Sequence, residues 1–309
     1  MTFPERRCEA RDLWHHLITA APAGEIWRTP PRTILRSRGA CCALRVRSRN
    51  ARALSRFTPS FVAAWLRDAS SLASIDCVIV TCEHASRRVP SRYRALFRGQ
   101  EAVLKTHRGS DLGALRLARE LATALEAPLF AGSISRLLID LNRSLHHVKL
   151  YSAITRACPE SDRRRLAANY YLPYRNAVEN WIARRARRGR TVLHLSVHSF
   201  TPVLDGQVRH ADIGLLYDPR RALERTLCGA WRRVLCSAAP ELTLRLNYPY
   251  RGTADGFTAY LRHGFPSVAY LGIEIEVNQT HVRIGWKPLR QLLRTTLKET
   301  LCSMLPSAA

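Results

Sequence analysis

The stretch Thr191-Val192-Leu193-His194-Leu195-Ser196-Val197-His198 is the clearest strand in the sequence, and it indicates the class of fold. Its apolar and β-branched residues are typical of a strand that is buried on both faces. Similar runs lie at 75–82 and 267–277. Strands of this kind occur in largely parallel sheets covered by helices on both sides, and we predict such a sheet here.

Helix-like segments separate the strands. Apolar residues recur at helical spacing over 111–126, and further helices are predicted over 161–188, 221–236 and 288–304. We expect the second of these helices to be broken near Pro173. The remaining predicted strands are short and lie at 128–131, 137–141, 213–217 and 243–246. Alternating strands and helices predict an α/β fold.

The beginning of the chain has a different composition from the rest. Residues 1–57 contain twelve Arg, no Lys and only four acidic residues, and no strand or helix period runs through them. We interpret them as an Arg-rich N-terminal extension: a disordered tail, a transit peptide or the product of an upstream start codon. No catalytic role is assigned to it. A catalytic domain is predicted over 74–309.

The chain is strongly basic, with 49 Lys plus Arg against 24 acidic residues, a net charge of +25 and a pI near 10.8. Such a balance first suggests nucleic-acid binding. The cationic residues are nearly all Arg, however, and they are dispersed rather than gathered into one stripe with aromatic residues. This dispersal argues against nucleic-acid binding, and a basic surface would in any case attract a small anionic substrate. No run approaches the roughly 18 apolar residues of a membrane span.

Cysteine usage indicates a reducing compartment. The nine cysteines are odd in number and irregular in spacing, and no CxxC pair is present. This pattern argues against a disulfide framework and against a thiolate zinc site. We expect a cytoplasmic protein in which most cysteines are small buried hydrophobic residues.

Polar residues follow or end three of the predicted strands. The first strand runs into Glu83 and His84, the 191–198 strand ends in His198, and the last contains Glu274 and Glu276. In open α/β sheets the site lies beyond the carboxyl ends of the strands. Two histidines with a carboxylate can hold Zn²⁺ and leave a position for water, and a further glutamate can act as general base.

Other readings of these residues stay open. A single histidine at a strand end is more often a hydrogen-bonded structural residue. For Glu274 and Glu276 the functional reading is favoured for at least one, because two acids on one strand face are unfavourable if buried without cations or a metal. Cys82 beside His84 is a possible nucleophile, although no third orienting group is evident. Serine-elbow, phosphate-loop and dinucleotide-binding motifs are absent from the sequence.

Two further stretches carry arginines suited to binding carboxylates, because the guanidinium is a rigid two-pronged donor. The predicted 137–141 strand delivers Asn142-Arg143 to its carboxyl end. Arg136 lies at the opposite end of that strand, so it must fold back to reach the same pocket, or else pair with Asp140. Arg251 lies in the turn-rich stretch 247–256, which is either a pocket wall or a plain turn.

Taken in order, these motifs resemble those of the N-formylglutamate amidohydrolase family, and the resemblance covers roughly residues 75 to 300. The residues that carry it are Cys82-Glu83-His84-Ala85, Val89-Pro90, His107, Asp111-Leu112-Gly113-Ala114, Ser135-Arg136, Asp140-Leu141-Asn142-Arg143, His198-Ser199-Phe200, 247–252 and 272–279.

The resemblance implies a three-layer α/β/α fold with a mostly parallel mixed sheet, phosphorylase/hydrolase-like, and a kinship with zinc carboxypeptidases and with the aspartoacylase and succinylglutamate desuccinylase enzymes. In those relatives two histidines and a glutamate hold zinc, an Asn-Arg pair binds the substrate carboxylate, and a late glutamate is the base. By that likeness His84 and His198 are ligands, Asn142-Arg143 the clamp and Glu276 the base.

The third ligand stays open. The relatives place their ligand glutamate three residues after the first histidine, where this chain has Arg87. Glu83 and Asp111 are the candidates, and Glu274 is a further one.

The activity implied by the resemblance is that of a metal-dependent amidohydrolase. It removes a formyl or other small acyl group from an N-acylated acidic amino acid, converting N-formyl-L-glutamate and water to formate and L-glutamate in cytoplasmic histidine degradation. Zn²⁺ or another divalent metal is the expected cofactor, and Arg136 or Arg251 is expected at the side-chain carboxylate. The alternatives are a different N-acyl amino acid or peptide on the same site, and a non-enzymatic basic nucleic-acid-associated protein.

Overall fold

A sheet of six strands forms the middle of the residues that the computed structural model describes, 75–284 and 286–304. A separate two-stranded hairpin follows the third strand. In chain order the strands are β1 (Cys77–Cys82), β2 (Leu129–Ala131), β3 (Val192–Phe200), β4 (Val203–Leu204), β5 (Gln207–Val208), β6 (Ile213–Leu216), β7 (Leu244–Leu246) and β8 (Tyr270–Asn278).

The six-stranded sheet is mixed and mostly parallel, as predicted. Its order is β2-β1-β3-β8-β6-β7, and β4 pairs with β5 in the hairpin. Strands β2, β1, β3 and β8 run in one direction. Strand β6 pairs antiparallel with β8 and parallel with β7, so the last two strands run the other way. The carboxyl ends of β1, β3 and β8 therefore lie together at one edge.

Helices cover the sheet on both faces. They are α1 (Glu101–Leu104), α2 (Ala114–Ala124), α3 (Ala153–Arg156), α4 (Glu160–Leu166), α5 (Leu172–Ala186), α6 (Ala222–Ala238), α7 (Phe257–Gly264), α8 (Gln279–Ile284) and α9 (Trp286–Ser303). Helices α2, α6 and α9 share one apolar core with the sheet, and α5 and α7 share another. This arrangement gives the α/β/α layering that the resemblance implies.

The central pair of strands fixes the position of the site. Every residue of β3 and β8 is buried, and the two strands pair along nine residues, from Val192 opposite Tyr270 to Phe200 opposite Asn278. Within this register His198 lies beside Glu276. Because side chains alternate across a strand, paired residues of neighbouring parallel strands point to the same face. The two groups therefore enter the same side of the sheet.

The predicted strand at 137–141 is wrong. The backbone N–H of Leu138 donates to the carbonyl of Ser135, which makes a turn, and the N–H of Asp140 donates to Leu150 O. The apolar side chains of this stretch pack in a separate cluster beside the sheet instead of in a strand of it. An apolar run of five residues does not by itself distinguish a strand from a buried turn.

The helix predicted over 161–188 is present, but it is not interrupted at Pro173. It runs through α4 and α5 with a π turn, Ala167–Tyr171, between them. Proline lacks the N–H that an α-helix requires and its ring crowds the preceding turn, and a π turn at that point relieves both. The proline thus changes the hydrogen-bond pattern without ending the helix.

The long connection after β7 crosses back over the sheet. The side-chain oxygen of Asn247 accepts hydrogen bonds from the N–H groups of Tyr217 and Gly252, which folds the connection onto itself. Tyr248 O then lies against Gly214, only 1.9 Å from where a Cβ would stand. Since Gly214 pairs with Glu276, this close approach brings the connection to the site.

Two further sequence-based expectations concern the N-terminal segment and membrane-spanning helices. The predicted N-terminal extension, residues 1–57, lies outside the described residues. Among the helices that the structure describes, none is long and apolar enough to cross a membrane.

We predict that Gly214→Ala lowers the free energy of unfolding by about 2 kcal/mol, because the added methyl group overpacks against a backbone carbonyl that cannot swing away. Urea unfolding followed by circular dichroism measures this. Gly229→Ala in α6 is the matched control, since its nearest contact would be 3.8 Å away and alanine is preferred in helices. Equal stability of the two variants would contradict the expectation.

Candidate active site

Three buried side chains converge at the carboxyl edge of the sheet. His84 follows β1, His198 lies near the end of β3, and Asp111 lies just before α2. Asp111 Oδ2 is 3.2 Å from His84 Nδ1 and 2.9 Å from His198 Nδ1. One ligand atom from each of the three residues lies within 4.8 Å of the others. The two histidines are therefore within reach of one ion.

Local backbone contacts hold this group together. The N–H of Asp111 donates to the carbonyl of His84 at 3.0 Å, and that bond ties the stretch before α2 to the end of β1. Gly113, with a φ of +78°, then turns the chain into α2. Glycine adopts this left-handed backbone without strain. The Asp111-Leu112-Gly113 sequence thus places the carboxylate just before the first turn of α2.

The outer nitrogen of each histidine is bonded to a second carboxylate. His84 Nε2 is 2.7 Å from Asp140 Oδ1, and His198 Nε2 is 2.9 Å from the Ser196 hydroxyl and 3.2 Å from Glu83 Oε2. Both imidazoles thus direct Nδ1 toward Asp111 and Nε2 away from it. Metal-binding histidines in proteins usually have such a partner on the outer nitrogen, where it fixes the tautomer and the ring orientation.

Glu83 lies on the side of His198 that faces away from Asp111. Its Oε2 accepts a 2.7 Å hydrogen bond from the Ser196 hydroxyl, and its Oε1 accepts one from the Tyr174 hydroxyl at 3.1 Å. The side chain is only 1% exposed. Of the candidates for the third ligand, Asp111 is the one that contacts both histidines at Nδ1.

The electrostatics of the cluster favour charged groups. Burial opposes ionisation of Asp111, but the two histidines outweigh it and hold its pKa well below the usual range. Burial would also lower the pKa of His198, but hydrogen bonds and attraction from Asp111 and Glu83 raise it well above its usual value. Burial and Arg136 would lower the pKa of His84, but attraction from Asp140 and Asp111 raises it. Buried carboxylates that stay ionised require nearby cations.

Glu276 differs from these acids because it has a free oxygen. Its Oε2 is buried and has no hydrogen-bond partner among the described residues. Burial raises the pKa of Glu276 to about 8. Glu274, two residues earlier on the same face, instead accepts a short hydrogen bond from the Thr258 hydroxyl. Glu276 is thus the carboxylate that is available to a bound molecule.

Arg136 reaches the site, although it was expected at the far end of a strand. The turn that replaces that strand folds it back. Its guanidinium contacts Asp111 Oδ1 at 3.3 Å and Asp140 Oδ2 at 2.8 Å. The alternative considered for this residue, a pair with Asp140, is therefore present. Arg136 neutralises the two aspartates that contact His84.

Asn142 and Arg143 lie on the pocket wall and are tied to a second loop. The N–H of Phe257 donates to Asn142 Oδ1 at 2.6 Å. Arg143 Nη1 donates to Asp255 O at 2.8 Å, and the N–H of Ser144 donates to Asp255 Oδ2 at 3.2 Å. The two loops therefore form one surface.

The pocket in front of the histidines is small and polar, with a volume of about 130 Å³. Arg251 stands exposed on its wall, and its guanidinium has no bonded partner among the described residues. The lining residues are His84, Asp111, Arg136, Asn142, Arg143, His198, Ser199, Tyr250, Arg251, Ala254, Asp255, Glu274 and Glu276. All the predicted site residues except Glu83 thus line one pocket.

Cys82 is not suited to act as a nucleophile. Its side chain is fully buried in the main apolar core, and burial raises the pKa of its thiol well above the usual value. The six cysteines among the described residues are all free.

Sequence reasoning missed the outer partners of the histidines. Asp140 was considered only as a partner for Arg136, although its four-residue spacing from that arginine is a weak sign of a shared site. Ser196 and Tyr174 carried no signal, because contacts across 113 and 91 residues have no local pattern. Asp255 was noted as part of a turn, but not as a partner of Arg143.

Comparisons with solved structures agree with this fold. The structure of a gene product from Agrobacterium tumefaciens is 29% identical, with a TM-score of 0.64, and the match covers 74% of this chain and 91% of that one. An N-formylglutamate amidohydrolase from Ralstonia eutropha is 18% identical with a TM-score of 0.54, covering 75% and 94%. At that identity the second likeness shows the fold alone. No curated protein matches the chain.

The mostly parallel mixed sheet with helices on both faces is an α/β fold that matches these solved structures, and a polar pocket lies at its edge. The family model described as N-formylglutamate amidohydrolase matches residues 76–282, which is two thirds of the sequence. The chain belongs to the N-formylglutamate amidohydrolase family, as the resemblance of its motifs indicated.

We predict that Arg136→Met lowers the free energy of unfolding by roughly 2–3 kcal/mol, because it removes the arginine that pairs with both buried aspartates. Chemical denaturation at neutral pH measures this. Arg116→Met is the control, since that arginine is 70% exposed and its ion pair with Glu120 is long, at 3.9 Å. It should change stability by less than about 0.5 kcal/mol. Similar losses in both variants would mean that Arg136 does not hold the aspartates.

Proposed function

We propose that this protein is a metal-dependent amidohydrolase that removes a formyl or other small acyl group from an N-acylated acidic amino acid. N-formyl-L-glutamate is the favoured substrate, with formate and L-glutamate as products. The observation that carries the proposal is the convergence of His84, Asp111 and His198 in front of an unpaired glutamate. Family membership supports the reaction class.

The residues present fit a divalent metal such as Zn²⁺. Two imidazole nitrogens and a carboxylate oxygen are donors that zinc prefers in catalytic sites, where a fourth position is left open. The outer nitrogens of both histidines are already held by carboxylates. Neighbouring histidines hold the pKa values of Glu83, Asp111 and Asp140 well below their usual range, and Arg136 contributes for the two aspartates, so charged carboxylates surround the histidines. We assign His84, His198 and Asp111 as ligands, with Glu83 positioning His198.

A metal bound there would supply polarisation of the acyl carbonyl and acidification of a water molecule. Glu276 would accept the proton of the attacking water in this proposal, which its free oxygen, buried at the same edge of the sheet as His198, supports. A base with a pKa near neutrality can also return the proton to the departing amine. Glu276 therefore has both roles in the proposed reaction.

The cationic side chains account for an acidic substrate. Arg143, with Asn142 beside it, would bind the α-carboxylate, and Arg251 would bind the side-chain carboxylate because its guanidinium has no other partner. Arg136 already has two aspartates as partners, so its contribution is to hold the ligands. The pocket volume of about 130 Å³ suits a small substrate.

The same site also suits other N-acyl amino acids, and a panel of substrates distinguishes them. We place the protein in the cytoplasm, where free cysteines are stable, and assign it to the breakdown of histidine, whose formylated glutamate product it would consume.

We predict that the purified protein holds about one divalent metal per chain, and that His84→Ala and His198→Ala lose it. Inductively coupled plasma mass spectrometry after dialysis measures the content. His281→Ala is the matched control, because that histidine bonds Asp212 away from the pocket. A wild-type protein that is free of metal and equally stable with chelator would refute metal dependence.

We predict that Glu276→Gln lowers kcat for formate release from N-formyl-L-glutamate by at least about 100-fold, because the amide cannot accept a proton. Metal content should not change. Glu274→Gln is the control on the same face of β8, and a loss of less than about tenfold is expected there because that side chain is bonded to Thr258. Full activity of the Glu276 variant would remove this residue as the base.

A further inference from the structure

A buried arginine that does not line the pocket lies directly behind it. Arg175, in α5, is 4% exposed. Among the described residues no carboxylate lies within ion-pair distance of its guanidinium, and its Nη2 has no hydrogen-bond partner. A buried cation without a paired acid is unfavourable on its own. Its contacts must therefore account for its position.

The guanidinium of Arg175 bonds to the backbone on both sides of Asn142. Its Nη1 donates to Leu141 O at 3.1 Å and to Arg143 O at 3.3 Å. The Tyr171 hydroxyl donates to the same Arg143 carbonyl at 2.8 Å. The backbone that carries the proposed carboxylate-binding pair is thus held from behind by two side chains of one helix.

Arg175 also contacts the second loop of the pocket. Its guanidinium carbon lies 4.2 Å from the ring centre of Phe257 and 4.4 Å from that of Tyr260. The N–H of Phe257 is the donor to Asn142 Oδ1. Cation–π contacts of this kind are strongest when they are shielded from water. One side chain therefore joins the loop with Asn142 and Arg143 to the start of α7.

Helical spacing explains how two side chains reach the same carbonyl. Tyr171 ends the π turn and Arg175 follows four residues later in α5. Side chains four residues apart lie on the same face of a helix. Lysine could not replace Arg175, because only a planar fork can bond and stack at once.

We infer that Arg175 is a positioning residue that holds Asn142 and Arg143 in place for the carboxylate of the substrate. Arg175 does not touch the substrate. Its effect is transmitted through the carbonyls of Leu141 and Arg143 and through Phe257. The inference deepens the proposed function and rests on it for the identity of the bound group.

Hydrogen–deuterium exchange of the full chain tests the positioning itself. In Arg175→Met the amides of residues 142–145 should exchange about tenfold faster or more, the scale of losing a hydrogen bond to a charged group. Arg185→Met is the matched control. That arginine lies on the same helix, and like Arg175 it stacks on an aromatic ring, that of Trp181, and donates to a backbone carbonyl, also that of Trp181. It should leave those amides unchanged. Unchanged exchange in Arg175→Met overturns the inference.

Steady-state kinetics of formate release test the consequence. Arg175→Met should raise KM about tenfold or more, with kcat within about threefold and metal content unchanged. Combining it with Arg143→Met should raise KM less than the product of the two single effects, because both act on one group. If the rise in KM of the double variant equals the product of the two single rises, the inference is overturned, because a general loss of structure would give independent effects of that kind.

A milder variant covers the case in which Arg175→Met does not fold. Tyr171→Phe removes only the hydroxyl that donates to the same carbonyl, and a smaller rise in both exchange and KM is expected. A chain that turns over no N-acyl amino acid refutes the proposed function, and the exchange result alone then decides whether Arg175 positions the loop.

Discussion

The register between β3 and β8 is the constraint on which the site depends. Side chains alternate along a strand, so a shift of one residue would send every inward group to the opposite face. Nine consecutive buried pairs make that shift very unfavourable. The apolar residues of the two strands thus secure the position of His198 beside Glu276, although neither polar residue contributes to the core. Packing sets the geometry, and the polar groups take the positions it gives them.

The site joins charged groups that could not be buried one at a time. Asp111 is shared by two histidines and an arginine, and Asp140 joins one of those histidines to the same arginine. Each group lowers the free energy of burying the next one, because unpaired charges in a dry interior are highly unfavourable. Glu276 stands apart from this closed set. Its free oxygen is the feature that distinguishes a site able to accept a molecule from a purely structural network.

Much of the fold and of the site could be predicted from the sequence, and the failures have a common cause. Long apolar strands such as 191–198, and the polar groups at their ends, are local patterns, so the sheet and the meeting of His84 with His198 followed from them. The stretch 137–141 failed because five apolar residues pack equally well in a turn. The choice between Asp111 and Glu83 depended on which side of an imidazole each acid reaches. That is set by contacts between distant parts of the chain, and no spacing rule reports it.

Strands β6 and β7 run opposite to the rest of the sheet, so the pocket wall that carries Arg251 comes from a different part of the fold than the wall that carries the histidines. The two walls should tolerate substitutions to different degrees. The histidine side is built by parallel strands of the central sheet, where substitutions disturb the core. Arg251 is carried by a connection that crosses the sheet and touches it closely at Gly214. Substitutions along the outer part of that connection alter the rim without disturbing strand pairing. Related enzymes could therefore diverge in the amino acid they accept while inheriting the same chemistry, and selectivity would evolve faster than mechanism.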